Sequence, residues 1–351
     1  MRLLLGTLLA TALGWTPGAR ALDEEYRASS YVFGTLVEVT ALDDDPGRAQ
    51  RAVARVLREF DRMHRELHAW QPGPLVALNE AIARGEKDIA TTGEIATLIE
   101  DARRLSERSG DLFNPAIGKL VALWSFHRDR PGGPLPDSAE IARIVHAQPR
   151  MEDLAVNGNR VSSANREVRL DFGGYAKGYA LDQAARILRD EGVSSALVNV
   201  GGNILALGTH GGEPWRIGLE RPRPVAGSAD LLGTIELANG EAIGTSGDYR
   251  RFYVVDGKRY SHIIDPRSGY PVAGVRSVTV IAPPGAHAGA ISDGASKPLF
   301  IAGVAGWRQA AQRLGITQAL LVDDEGRVHM TPQLEKRLQR KEGTSARRAL
   351  R

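Results

Sequence analysis

The sequence predicts an α+β fold, with strands and helices mixed rather than strictly alternating. Three observations lead there. Helical periodicity dominates the first half, after one β-rich run. From about residue 156 short β-rich runs take over, punctuated by glycine pairs. No repeat of fixed period appears, and the order lacks the regular alternation of a doubly wound parallel sheet.

The elements follow in order. Residues 31–40 alternate and are rich in β-branched side chains, which predicts a strand. Residues 46–68 carry Val53, Val56, Leu57, Phe60, Met63 and Leu67 at helical spacing, which predicts an amphipathic helix with a basic outer face. A second helix is expected over 92–110, with Gly110 as its stop. A short buried helix is expected over 116–126 after the Asn114-Pro115 turn, then a Pro/Gly loop over 129–136 and a helix over 138–147. Residues 168–172 read as a strand, Gly173-Gly174 as a turn, and 179–191 as a helix. Further strands are expected at 196–200, 215–219, 234–237, 252–255, 277–281 and 319–322, with another strand running into Thr245. The segment 287–303 reads as helical until Pro298 disturbs it, and 307–314 as a separate helix.

Arg2, the apolar run 3–13 and Ala19-Arg20-Ala21 have the form of a secretory signal peptide cleaved after about Ala21. The expectation is therefore a periplasmic protein. The run is too short to span a bilayer, and no other stretch is long and apolar enough. There is no cysteine, so neither a lipid anchor at the signal nor a disulfide is available. The division expected is 1–21 signal peptide, 22–332 one enzyme domain, and 333–351 a basic, flexible tail. A net charge of +3 favours no class of partner, and nothing points to nucleic acid.

Four segments carry candidate chemistry. In LDFGGYAKGYALD (170–182) a glycine pair precedes a helix whose first turn holds Lys177. Backbone N–H groups, the helix terminus and the ammonium together suit an anion, although a tight turn with a surface lysine reads equally well. In AIGTSGDY (242–249), Thr245 and Ser246 suit a polar ligand or an ordinary turn. In YSHIIDPRSGYP (260–271), His262 is a candidate general base beside Asp265, or a structural histidine. In ISDGASK (291–297), Asp293 and Ser296 lie one helical turn apart, as oxygen ligands of Mg²⁺ or as a helix cap.

Taken together and in this order, LDFGGYAKGYALD, TSGDYRRFY and SHIIDPRSGYPV closely resemble the FAD:protein FMN transferase family of ApbE type. ALVNVGGNILALG, WRIGLERP and LFNPAIGKLVALW support the resemblance, which runs from about Tyr31 to Val322. It implies mixed, T-fold-like sheets with packed helices and an FAD cleft between two interlocked subdomains. It also implies FAD as substrate, Mg²⁺ on its pyrophosphate, and as partner a target flavoprotein whose Thr or Ser hydroxyl receives FMN while AMP leaves.

By resemblance, His262 takes the proton of the target hydroxyl. Phe33, Trp70, Phe113, Asn114, Asp171, Lys177, Thr245, Ser246, Asp265 and Lys297 line the FAD site. The Gly174 carbonyl and Asp293 hold the metal, with Ser296 the further ligand that its spacing from Asp293 offers. Phe33 stands where the family usually has methionine, Pro74 where it has serine, and Asn114 where it prefers aspartate. Lys297 stands where the family has a threonine whose hydroxyl binds the metal, and an ammonium donates rather than accepts. Three outcomes are open: Ser296 replaces the lost ligand, the ammonium replaces the metal, or the site binds flavin without turnover. The corresponding alternatives to transfer are an FAD pyrophosphatase and a non-catalytic flavin-binding protein.

Overall fold

The computed structural model describes residues 24–224 and 230–340. The expected signal peptide and residues 341–351 of the expected tail lie outside the described residues. In chain order the elements are β1 (Glu24–Val32), β2 (Thr35–Asp43), α1 (Pro46–Leu67), α2 (Pro74–Arg84), β3 (Ile89–Ala90), α3 (Gly93–Ser109), α4 (Gly118–Leu123) and α5 (Ser138–His146). They continue with β4 (Leu154–Asn157), β5 (Arg160–Ser163), α6 (Ala176–Asp190), β6 (Ser195–Val200), β7 (Asn203–Leu207), β8 (Trp215–Glu220), β9 (Leu231–Leu237) and β10 (Ala242–Gly247). The last are β11 (Phe252–Val255), β12 (Lys258–Ser261), β13 (Val275–Ala282), α7 (Ala288–Leu314), β14 (Ala319–Asp323), β15 (Val328–Met330) and α8 (Pro332–Arg337).

An antiparallel sheet of eight strands, ordered β1-β2-β6-β7-β10-β13-β14-β15, is the centre of this α+β fold. Its inner strands bury both faces. Val278 and Val280 of β13 join a cluster with Leu299, Phe300 and Trp307 of α7, whereas Ile281 faces Trp215, Leu237 and Leu334 on the other side. On the helical side α1 packs on α6, α6 on α7, and α7 on α3. The β8–β9 ribbon and α8 cover the opposite face. A smaller cluster of Trp124, Phe126, Tyr253 and Ile264 joins α4, α5 and the β11–β12 hairpin beside the main body.

Local chemistry explains the helices. Pro46 occupies the first turn of α1 and the Asp45 side chain accepts the Arg48 N–H at 3.1 Å. Its buried stripe, Ala49, Ala52, Val53, Val56, Phe60, Met63 and Leu67, has the expected period. Thr92 caps α3, and Gly110 ends it in the left-handed conformation.

Several expectations are corrected. Residues 31–40 are not one strand: Phe33 and Gly34 take positive φ (56° and 69°) and turn a hairpin between β1 and β2. Phenylalanine is an unusual turn residue, so the alternation masked the break. Residues 168–172 are extended but form only a single bridge, Ile117 to Arg169. Arg169 and Asp171 bond the backbone of residues 115–118, while Leu170 is held by a side chain: the Asn79 amide accepts from Leu170 N at 2.7 Å and donates to its carbonyl at 2.9 Å. Pro298 does not interrupt α7. The break falls at Gly303, whose φ of 66° is open mainly to glycine. α2, β7 and the β4–β5 hairpin went unread, and α6 begins one turn earlier than expected. The part of the expected tail over 333–340 is packed: Leu334 is buried and Arg337 bonds Glu241 at 2.8 Å.

Candidate active site

The site is set by a close crossing of α6 and α7. A Cβ at Gly178 would fall 2.7 Å from the Asp293 Cβ and nearer still to the Gly289 carbonyl oxygen, so only glycine permits this approach. Asp182, one turn further along α6, accepts N–H bonds from Gly289 (2.7 Å) and Ala290 (2.9 Å), capping α7 from its neighbour. Together these contacts bring Asp293 to the first turn of α6, where its Oδ2 accepts from Gly178 N at 3.0 Å.

The other oxygen of Asp293 forms an ion pair with Lys297, whose Nζ also donates to the Asp293 carbonyl at 2.8 Å. Burial would raise the Asp293 carboxyl, but the charges of Lys177 and Lys297 and two hydrogen bonds hold it below the usual carboxylate range. Burial pushes the Lys297 ammonium down to about 8, against the pull of Asp293, so it stays largely charged at neutral pH. The stem of Lys297 crosses Gly174, where an added Cβ would stand 3.3 Å from Lys297 Cε. Lys177, on the first turn of α6, lies within electrostatic reach of Asp293, Lys297 and His262.

Thr245 and Ser246 lie on β10, which packs closely on α7. Ser246 Oγ lies 2.7 Å from Ser296 Oγ, and Ser296 donates to the Asp293 carbonyl at 2.6 Å. The Ser296 hydroxyl is fully buried and engaged with these two partners. Thr245 pairs with Thr279 at 2.9 Å.

His262 follows β12. Its Nδ1 lies 3.1 Å from the carbonyl of Arg251, which also accepts the His262 backbone N–H at 3.1 Å. A carbonyl can only accept, so this contact assigns the proton to Nδ1 and leaves the Nε2 lone pair for a proton acceptor's role. Burial, then the charges of Lys177, Arg251 and Lys297, lower His262 to about 3. Asp265 organises the adjacent turn: its backbone carbonyl accepts from Gly269 N at 2.8 Å and its side chain holds Arg267 at 2.7 Å. Trp124 Nε1 donates to the Gly269 carbonyl at 2.8 Å and anchors that turn.

The remaining expected residues divide. Asp171 accepts from Gly173 N at 2.8 Å and shapes the glycine turn before Lys177. Asn114 spends its amide on Pro149 O (2.8 Å) and Ala116 N (3.0 Å). Phe113 is buried against Tyr175, with ring centroids 5.8 Å apart. Phe33 and Trp70 belong to an aromatic-histidine group: Phe33 meets His64 at 5.8 Å, His64 meets His68 at 5.2 Å, and Trp70 meets His127 at 5.1 Å beneath Arg169. Asp171 is close enough to act on His68. Sequence reasoning missed Asn79, Gly178 and Asp182 as positioning residues. Gly178 and Asp182 stood within the 170–182 motif, but their roles depend on α7.

Mg²⁺ does not fit the residues expected to hold it. One Asp293 oxygen is taken by an ammonium and the other by a backbone N–H, and Ser296 is buried in its own bonds. Among the described residues no group of three or more His, Asp or Glu converges as a metal site. A pyrophosphate does suit the pair of ammonium groups beside the α6 N-terminus.

Fold and site thus define an α+β protein with a buried Asp293–Lys297 pair at the first turn of α6 and a half-buried histidine. The chain belongs to the ApbE family, whose model matches residues 33–321. It is 39% identical over 341 residues to an FAD:protein FMN transferase of Rhodobacter capsulatus, covering 96% of this chain and 64% of that one. An FAD:protein FMN transferase of Klebsiella pneumoniae is 30% identical over 309 residues, covering 86% and 85%. The ApbE protein of Thermotoga maritima superposes with a TM-score of 0.79 at 27% identity, covering 91% of this chain and all of that one. The apo flavinyl transferase ApbE of Pseudomonas stutzeri gives 0.76 at 26% identity, covering 92% and 99%.

Proposed function

We propose that this chain transfers FMN from FAD to a Thr or Ser hydroxyl of a target flavoprotein. The observation that carries the reading is the ion pair of Lys297 with Asp293 at the first turn of α6, which also carries Lys177, together with His262, whose Nε2 keeps its lone pair. In the reaction the target oxygen bonds to the FMN-side phosphorus and its proton passes to His262 Nε2. The bridging P–O bond breaks, and AMP leaves with the electron pair. Phosphoryl transfer asks the protein mainly to position groups and offset charge. The ammonium groups do the second, and the α6 N-terminus adds partial positive charge. Burial is the main cause of the low His262 basicity, and the pyrophosphate offsets the lysine charges that add to it, which makes His262 more basic when substrate is bound.

The first residues support export, so the targets are periplasmic or membrane-bound redox flavoproteins, such as those of nitrous oxide respiration or ion-pumping reductases. Cell fractionation tests the compartment. Incubation with FAD and candidate target domains, followed by intact mass measurement, tests the transfer. Targets gaining FMN support it. FMN and AMP released without any acceptor would make the chain a pyrophosphatase, and FAD held without AMP release would make it a flavin-binding protein.

A further inference from the structure

The expected metal position is already filled by a side chain. Lys297 lies against both Gly174 and Asp293, two of the residues expected to hold Mg²⁺. Its ammonium takes the carboxylate oxygen a cation would use, and the Asp293 carbonyl at 2.8 Å takes a second N–H. Ser296 cannot turn to replace a ligand without abandoning Ser246 and the Asp293 carbonyl inside the core. Lys177 adds a second positive charge acting on the same carboxylate. Lys297 on this buried carboxylate, with the Lys177 ammonium on the Gly173 carbonyl at 3.2 Å one turn before Gly178, leaves positive charge for a further anion.

We infer that Lys297 is a built-in substitute for the divalent cation, and that its ammonium and that of Lys177 bind the FAD pyrophosphate without metal. The inference rests on the FMN-transfer reading for the identity of the anion. A lysine is a compact point charge with three donors, so it can hold Asp293 and a phosphate oxygen together. Unlike a metal ion it cannot be removed by a chelator, and its position is set by the chain. Transfer by this protein is then independent of divalent cations.

Calorimetric titration of FAD into the purified wild-type protein, in excess chelator and in millimolar Mg²⁺, is the primary test because it needs no variant. The expected result is a Kd that agrees within about twofold between the two conditions. Tightening by tenfold or more in Mg²⁺ overturns the inference. Lys297→Thr releases Asp293 and supplies an oxygen. It is expected to lose at least about tenfold in FAD affinity in chelator and to regain it in Mg²⁺. A folded Lys297→Thr protein that binds FAD in chelator as wild type does also overturns it. Metal-independent FAD binding without FMN on any target upholds the role of Lys297 and removes the transferase reading. Absence of FAD binding in both conditions overturns the two together.

Discussion

Gly178→Ala is the sharpest probe of how the site is held, because local and tertiary effects predict opposite signs. On helix propensity alone, alanine should stabilise α6 by up to about 1 kcal/mol. The crossing opposes this. The new methyl would stand 2.2 Å from the Gly289 carbonyl oxygen and 2.7 Å from the Asp293 Cβ, so α6 and α7 must part by about 1.2 Å merely to reach ordinary contact at 3.4 Å. Overpacking of this kind costs about 1–3 kcal/mol. The parting also misaligns the Gly178 N–H bond to the Asp293 carboxylate, a charge-assisted bond worth about 1.5–3 kcal/mol. The net expectation is a loss of about 3 kcal/mol, or roughly 4 °C in Tm for a chain of this size. Thermal unfolding by circular dichroism or calorimetry reads it directly. Gly132→Ala, whose new Cβ meets nothing within 4 Å, is the control and should stay within about 0.5 kcal/mol. A Gly178→Ala protein melting at or above the wild-type temperature would refute the crossing as the element that positions Asp293.

Further expectations concern protonation and anchoring. Because His262 lies far below the ordinary imidazole value, its base form persists into acid. The pH profile of kcat/KM should therefore stay flat from about pH 7 down to about pH 5, and an acid limb near pH 6.5 would contradict the environment assigned to Nε2. Burial raises the Asp182 carboxyl to about 7, against its two backbone N–H bonds. A raised carboxyl binds its proton more tightly when folded, so its contribution to stability is full below about pH 4 and is lost as pH rises through 7. Denaturant titrations should show that slope between pH 4 and 7 in the wild type and its loss in Asp182→Asn. Trp124→Phe leaves the Gly269 carbonyl without its donor and should cost about 1–3 kcal/mol, measured as a lower denaturant midpoint. Arg223→Ala strands the buried Asp248 carboxylate and should cost about 3 kcal/mol by the same assay, whereas Arg223→Ala with Asp248→Asn should recover much of it.

Much of the molecule was legible in the linear chain because its signals are local. The stripe of α1, the Thr92 and Gly110 ends of α3, and the alternating runs of β8 and β9 each depend on neighbours within one or two turns or on a strand's own period. The glycine-lysine motif, His262 and the Asp293–Lys297 pair were likewise visible as residue types in order. The errors fell where backbone groups find distant partners. Residues 168–172 look like a strand, but Leu170 in their middle is held on both backbone groups by the Asn79 side chain, about ninety positions away. Phe33 turns a hairpin because its ring packs on Phe60 and His64, a contact with no trace in a local pattern.

The sequence by itself determined the mixed α+β class, the family motifs and the presence of lysine at position 297. Only the tertiary structure decided what that lysine does. Whether a hydroxyl or an ammonium meets Asp293 depends on the Gly178–Gly289 approach that brings α6 and α7 together, on Ser246 fixing Ser296 from a separate strand, and on Gly174 leaving room for the lysine stem. Ion pairs and buried hydrogen bonds are set by distances of a few ångströms between elements remote in sequence, and those distances exist only once the helices have packed.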